Sequence, residues 1–267
     1  MSTTTFEGRP VLITGGGTGM GRAFALALAQ RGAPVAVCGR RAEPIEETAE
    51  LCRAHGVAAL ASQVDVRDPE RVEAWVAEAG AALGPPRMLI NNAAGNFLAH
   101  AIDLSPNGWK AVIDIVLNGT FYCSTAVARS MREAGVGGSI LNIIASYAWT
   151  GNPMTAHSAA AKAGVWNLAR SLAVEWAPLG IRVNCIAPGP LDSEGAAERL
   201  FPTPEIREKM LADIPDRRFT TLDDVVSSAL FLLSDDAGHI SGETLTVDGG
   251  QALSQGMFRH SPIPQRP

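Results

Sequence analysis

The stretch Val11-Leu12-Ile13-Thr14-Gly15-Gly16-Gly17-Thr18-Gly19-Met20-Gly21 decides the fold. Four residues suited to a buried strand run into a glycine-rich turn, and the amphipathic segment Arg22 to Gln30 follows. Glycine lets the chain turn sharply and come close to a pyrophosphate. The helix that follows offers unpaired N–H groups and the positive end of its dipole. Gly15, Gly17, Thr18, Gly19 and Met20 are therefore candidate phosphate contacts. The alternative is a tight turn that holds nothing. Context favours a ligand, because a strand precedes the turn and a helix follows it at the start of an alternating pattern.

That pattern continues along the chain. Short β-rich runs occur at 11–14, 34–39, 59–64, 88–91, 139–144, 181–186 and 244–247, and helical periods at 20–31, 43–54, 69–82, 106–133, 156–176 and 222–234. Such alternation requires right-handed crossovers and a parallel sheet covered on both faces. The expected fold is α/β, a single doubly wound domain of about seven parallel strands over residues 1–267. No Pro-, Gly- or Ser-rich linker and no internal repeat divides the chain. Residues 187–215, after the sixth strand, are expected to form a substrate loop. Residues 251–267 are expected to form an extended tail, with Pro at three of the last six positions.

Of the 267 residues, 46% are hydrophobic and 18% charged, which fits a globular chain and excludes a disordered or collagen-like one. Lys plus Arg number 22 against 27 Asp plus Glu, a net charge of −5, so no basic excess points to nucleic acid or a membrane surface. Cys38, Cys52, Cys123 and Cys185 lie far apart without CxxC spacing. Neither a metal site nor a disulfide framework is signalled, and a reducing compartment is expected. The first ten residues hold no apolar run of secretory type, and stretches such as 23–29 end before the 18 or so residues of a membrane span. The expected location is the cytoplasm, with an organelle lumen as the alternative.

The end of the second strand identifies the nucleotide. An NAD site places a carboxylate there for the ribose hydroxyls, whereas a 2′-phosphate needs cations. Here Gly39-Arg40-Arg41 stands at that point, with no carboxylate before Glu43. The planar fork of Arg suits a phosphate, so the expected cofactor is NADP(H). Asp65 and Val66, at the end of the third strand, are expected beside the adenine; as a plain loop residue Asp65 would cap the turn.

The spacing TGxxxGxG from Thr14 to Gly21, Asn91-Asn92-Ala-Ala-Gly95 after the fourth strand, and Pro188-Gly189 after the sixth together resemble the short-chain dehydrogenase/reductase superfamily, whose nucleotide domain is of Rossmann type. The resemblance covers residues 9 to 250 and implies further cofactor contacts at Asn92, Lys162, Pro188, Gly189 and Leu191. One element departs from the pattern. The catalytic YxxxK is missing: Lys162 holds its place, but Ser158 stands four residues earlier. A serine hydroxyl is far too weak an acid to replace a Tyr of pKa about 10 as proton donor. The chain has two tyrosines. Tyr122, inside a long helical pattern, reads as packing, and Tyr147 follows the fifth strand, where ligands bind in such folds.

Further segments narrow the resemblance. Asn92-Ala-Ala-Gly-Asn96-Phe97, Leu104-Ser105-Pro-Asn-Gly-Trp109, Asp114-Ile-Val-Leu-Asn118, Tyr147-Ala-Trp-Thr-Gly151 and Ala187-Pro-Gly-Pro190 look like the 2,4-dienoyl-CoA reductases. In that family the working Tyr sits in the loop after the fifth strand. The resemblance implies that Tyr147 and Asn96 donate hydrogen bonds, that Ser158 supports them, and that Lys162 supplies charge and a ribose contact. It places acyl-CoA contacts at Arg67, Phe97, Ser105 and Arg199. It also implies a homotetramer packed on helices 106–133 and 156–176. The activity it implies is NADPH-dependent reduction of 2,4-dienoyl-CoA to 3-enoyl-CoA in the β-oxidation of unsaturated fatty acids. Two alternatives stay open: a trans-2-enoyl-CoA or carbonyl reductase on the same fold, and a catalytically silent NADP(H)-binding protein. His157 reads as a surface or helix-cap residue, and Asn118 as a structural holder of water or backbone.

Overall fold

The computed structural model describes residues 5–191 and 203–254. β1 (Val11–Thr14) leads into α1 (Gly19–Ala29), β2 (Val35–Gly39) into α2 (Ala42–Arg53), and β3 (Ala59–Gln63) into α3 (Pro69–Leu83). β4 (Met88–Asn91) is followed by α4 (Pro106–Ile113), which continues through a π turn at Asp114–Asn118 into α5 (Gly119–Glu133). Next come β5 (Gly138–Ile143), the short α6 (Tyr147–Thr150) and α7 (Ala156–Trp176). β6 (Ile181–Pro188), α8 (Pro204–Asp213), α9 (Leu222–Leu233) and β7 (Thr244–Val247) complete the described chain.

The strands form one sheet in the order β3-β2-β1-β4-β5-β6-β7, and every neighbouring pair is parallel. Strand order reverses between β1 and β4, so a crevice opens there at the carboxyl ends. Successive side chains of β1 point to opposite faces, as a period of two demands. Leu12 joins Leu89 and Ile140 against Trp75 of α3, Val127 of α5 and Val165 of α7. Val11 and Ile13 join Met88 and Ile90 against Phe24 and Leu28 of α1 and Leu232 of α9. Both faces are thus covered, which is why the strands read as continuous apolar runs rather than alternating ones.

Helix starts are set by local chemistry. The Asp68 carboxylate accepts from the N–H groups of Glu70 and Arg71, both at 3.1 Å, with Pro69 at the first helical position of α3. A capping box between Thr221 and Asp224 opens α9. By contrast α1 has neither a side-chain cap nor an acidic residue in its first turn.

Four features differ from the sequence reading. The range 187–215, expected as a loop, holds the last two residues of β6 and the ten-residue α8, which starts at Pro204 with Thr203 as its N-cap. The helical period 106–133 holds a π turn at its middle. That same helix, Pro106–Glu133, has the length and mean hydropathy, 1.4, of a membrane span, which shorter apolar runs such as 23–29 did not reveal. Half of the span is buried inside the molecule, with Val112, Val116 and Val127 in the core beneath the sheet. In the expected extended tail, Gln251–Leu253 instead form a 3-10 turn. Asp248 holds it by accepting from the N–H groups of Gly250, at 2.9 Å, and Ala252, at 2.7 Å. Residues 255–267 of the tail and 192–202 of the expected substrate loop, Arg199 included, lie outside the described residues.

A Cβ added at Gly21 would stand 2.2 Å from the Gly15 carbonyl oxygen and 2.8 Å from Asn92 Nδ2. Gly21→Ala is therefore expected to destabilise the protein by about 1–3 kcal/mol. For a chain of this size that lowers the thermal midpoint by about 2–4 °C per kcal/mol, read by calorimetry. An unchanged midpoint would contradict the close approach of α1 to the glycine turn.

Candidate active site

Gly15 and Gly19 both adopt left-handed backbone, with φ of 65° and 53°, so the chain leaves β1 and enters α1 within a few residues. The Thr14 hydroxyl oxygen accepts from the N–H groups of Asn92, at 3.0 Å, and Ala93, at 2.9 Å, and so ties the end of β4 to the end of β1. The Asn92 carboxamide donates to the carbonyls of Thr14 and Gly15, both at 3.1 Å, and fixes the start of the turn. The uncapped N-terminus of α1 faces a cleft of about 510 Å³.

Gly15, Gly17, Thr18, Met20, Arg40, Arg41, Asp65, Val66 and Asn92 all line this cleft, together with Gly39, Pro44 and Ile45. Gly19 is the first residue of α1. Arg40 and Arg41 are exposed at the end of β2, with no carboxylate between them and the strand. A cleft floored by glycine backbone, headed by an uncapped helix N-terminus and flanked by two exposed guanidiniums fits a dinucleotide that carries a 2′-phosphate. Asp65 is held by Arg67: its carboxylate accepts from the Arg67 Nε at 2.9 and 3.0 Å and from the terminal nitrogen at 2.5 Å. The Arg67 guanidinium keeps the Asp65 carboxyl below the usual carboxylate range.

The other half of the site stands at the ends of β5 and β6. Tyr147 opens α6, four residues beyond the last residue of β5, and its hydroxyl lies 3.1 Å from the Ser158 Oγ on α7. Lys162 lies one turn along α7 on the same face and donates to the Ile143 carbonyl at the end of β5. Only 7% of Lys162 is exposed, and desolvation pushes its pKa down to about 8, with the nearby Cys185 opposing. Burial pushes the Cys185 thiol up to about 12, so it stays neutral beside the amine. Beneath these residues the buried Asn91 carboxamide donates to Asn142 Oδ1 at 2.8 Å and to Ser124 Oγ at 2.9 Å, which cross-links β4, β5 and α5. Pro188 ends β6, the Gly189 N–H donates to the Val247 carbonyl at 2.8 Å, and Leu191 bridges to Thr220. These three residues stand at the same edge of the sheet as Lys162 but do not line the glycine cleft.

Between the two halves runs the segment after β4. The Asn96 Oδ1 accepts from the Phe97 N–H at 3.0 Å, and the Phe97 ring is 43% exposed. Two residues expected on the acyl-CoA have occupations within the fold. Ser105 Oγ accepts from the Gly108 N–H at 3.1 Å as the N-cap of α4, and Arg67 is forked onto Asp65. Tyr122 is partly buried against the core. Asn118 donates to the Asp114 carboxylate at 2.9 Å. His157 is neither exposed nor a cap: it is fully buried, because α4 and the segment after β4 pack over the start of α7. The sequence reading also missed Thr14 and Ile143. Thr14 opens the TGxxxGxG spacing, which does not show its latch to the β4 backbone, and the Ile143 contribution is a main-chain carbonyl, which leaves no motif.

Over residues 15–252 the chain matches the family described as enoyl-(acyl carrier protein) reductase. It is 47% identical over 249 residues to a protein of Bacillus subtilis (strain 168) described as a probable 2,4-dienoyl-CoA reductase producing (2E)-enoyl-CoA, with 93% of this chain and 98% of that protein covered. With a peroxisomal 2,4-dienoyl-CoA reductase of Saccharomyces cerevisiae that produces (3E)-enoyl-CoA it shares 36% identity over 264 residues, 97% of this chain and 89% of the relative. The crystal structure of a gluconate 5-dehydrogenase from Burkholderia cenocepacia, in complex with NADP and tartrate, superimposes with a TM-score of 0.89 at 32% identity, covering 95% of this chain and 99% of that one.

The buried amine makes stability depend on pH. A lysine whose folded pKa lies below its unfolded value takes up a proton on unfolding anywhere between the two, so stability rises with pH across that interval. For Lys162 the interval runs from about 8 to the ordinary 10.5. Below it the desolvation penalty is present in full, and above it the penalty is gone. Urea unfolding of the cofactor-free protein is expected to show a gain over this range that Lys162→Met lacks. Parallel pH profiles for the two proteins would contradict a buried ammonium.

Proposed function

Because the chain belongs to the short-chain dehydrogenase/reductase family, in its 2,4-dienoyl-CoA reductase branch, we propose that it reduces 2,4-dienoyl-CoA to 3-enoyl-CoA with NADPH, in the β-oxidation of unsaturated fatty acids. The observation that carries this reading is the 3.1 Å contact between the Tyr147 hydroxyl and Ser158. A phenol supplied from the loop after β5 stands at the hydroxyl position that α7 leaves short of a tyrosine.

In this reading Gly15, Gly17, Thr18, Gly19 and Met20 hold the pyrophosphate, and Arg40 and Arg41 take the 2′-phosphate. Asp65 and Val66 flank the adenine. Asn92, Lys162, Pro188, Gly189 and Leu191 hold the nicotinamide half. When bound there, NADPH would supply the hydride for the δ carbon of the dienoyl thioester. Two electrons enter at that carbon, the double bonds shift, and negative charge develops on the thioester oxygen. Tyr147 and Asn96 donate hydrogen bonds to that oxygen; losing one such donor typically costs about 3–4 kcal/mol of transition-state stabilisation. Ser158 keeps the phenol in place, and the Lys162 amine holds the ribose and offsets charge. A proton taken from solvent and passed through the hydroxyl pair to the α carbon would complete the reduction. With Tyr147 on the thioester oxygen, that pair would stand nearer the α carbon than the γ carbon, which favours a 3-enoyl product. Arg67, Phe97, Ser105 and Arg199 contact the acyl-CoA.

The same reading makes the protein a homotetramer in the cytoplasm without a nucleic-acid or membrane partner. Phe121 on α5 and Val174 on α7 are 44% and 79% exposed, and apolar side chains on two neighbouring helices support burial against a second copy. Sedimentation at micromolar concentration is expected to give four chains. A monomer would argue against assembly on these helices.

The activity is tested by loss of NADPH absorbance with 2,4-hexadienoyl-CoA, 2-hexenoyl-CoA and a simple ketone, followed by chromatography of the product. The dienoyl ester is expected to be preferred. Tyr147→Phe is expected to lower kcat by about 10² or more, and Ser158→Ala to cost no more than an ordinary hydrogen bond, about 0.5–1.5 kcal/mol. Full activity of Tyr147→Phe with loss in Ser158→Ala would overturn the assignment. A 2-enoyl product would move protonation to the γ carbon.

A further inference from the structure

His157 is 0% exposed, and neither ring nitrogen has a hydrogen-bond partner among the described residues. A buried polar group left unpaired normally needs an explanation. Burial lowers the imidazole pKa, while the Phe97 carbonyl nearby pulls weakly the other way. The ring is therefore neutral at ordinary pH and sits next in sequence to Ser158.

Its contact is with Phe97: the ring centroids are 4.5 Å apart with the planes at 48°. On another side the Phe97 ring closes on Gly108, where an added Cβ would come within 3.0 Å of the ring's Cζ. Phe97 is thus held between His157 of α7 and Gly108 of α4. A second tie fixes the same segment. The Ala99 N–H donates to the Met154 carbonyl at 3.0 Å, and Met154 adopts a φ of 61°, a left-handed conformation that a non-glycine residue rarely takes. One residue before Phe97, the Asn96 Oδ1 is committed to the Phe97 N–H. With its oxygen so engaged, the carboxamide keeps Nδ2 as its donating end.

We propose that His157 is a positioning residue for Asn96: its ring clamps Phe97, and the Phe97 N–H in turn sets which way the Asn96 carboxamide faces. This rests on the reading above in which Asn96 donates to the thioester oxygen. Shape carries the role, because neither ring nitrogen makes a well-formed hydrogen bond among the described residues. A flat ring of similar size replaces His157, and a small side chain does not.

The test measures kcat and KM for 2,4-hexadienoyl-CoA, together with NADPH affinity, in Asn96→Ala, His157→Ala, the double variant and His157→Phe. Asn96→Ala is expected to lower kcat by about 10². His157→Ala is expected to lower kcat by about tenfold with NADPH affinity within twofold of the parent. The double variant should fall no more than about twofold below Asn96→Ala, because a carboxamide already removed cannot be misdirected. His157→Phe should recover kcat to within about threefold of the parent; if it does not fold, the cycle of Asn96→Ala with His157→Ala decides alone. Additive losses in the double variant, or unchanged kcat in His157→Ala, would overturn the clamp. So would a folded His157→Phe as slow as His157→Ala, which would show that a ring nitrogen does chemistry. Unchanged kcat in Asn96→Ala would instead remove Asn96 from the oxyanion site, and the role of His157 with it.

Discussion

All seven strands run parallel, so their carboxyl ends meet at one edge of the sheet, and the site can only be built there. At the point where strand order reverses, β1 and β4 lie side by side and their helices leave to opposite faces. The Thr14 hydroxyl closes that point by accepting from two backbone N–H groups beyond β4. Asn92 closes it from the other side through the carbonyls of Thr14 and Gly15. These few bonds hold the glycine turn against the segment that carries Asn96. The glycine turn and the segment that carries Asn96 therefore share one support.

The second support is the helix α7. Its first two turns carry His157, Ser158 and Lys162, three residues with unlike neighbours. Lys162 is buried and anchored on the Ile143 carbonyl, which joins α7 to the end of β5. Taking an ammonium out of water is unfavourable, and the depressed pKa of about 8 records that cost. The same anchoring brings Ser158 to the chain just after β5, where Tyr147 meets it.

Much of the site was legible because its signals are local. The glycine turn, Arg40 and Arg41, and Asp65 each stand where a strand ends and line one cleft, so a strand assigned from its apolar pattern places them at once. The missing tyrosine at Ser158 and the candidate at Tyr147 were equally plain from spacing. What local pattern did not show was contact with partners distant in the chain or with nearby backbone. Ser105 serves the Gly108 N–H as a helix cap, Arg67 forks onto Asp65, and His157 disappears beneath Phe97. The apolar length of the helix Pro106–Glu133 also has a tertiary cause, since it packs along the sheet.

The sequence by itself determined the alternation of strands and helices, the parallel sheet, the glycine cradle and the cationic end of β2. Each of these follows from side-chain period, backbone freedom or charge within a few residues. Only the tertiary structure decided that Tyr147 reaches Ser158, that Lys162 is buried with a lowered pKa, and that Asn96 is fixed through Phe97. Those facts depend on separate segments, from eleven residues apart for Tyr147 and Ser158 to sixty for Phe97 and His157, coming within hydrogen-bond or van der Waals reach. Such distances are set by packing of the two cores, and local pattern carries no record of them.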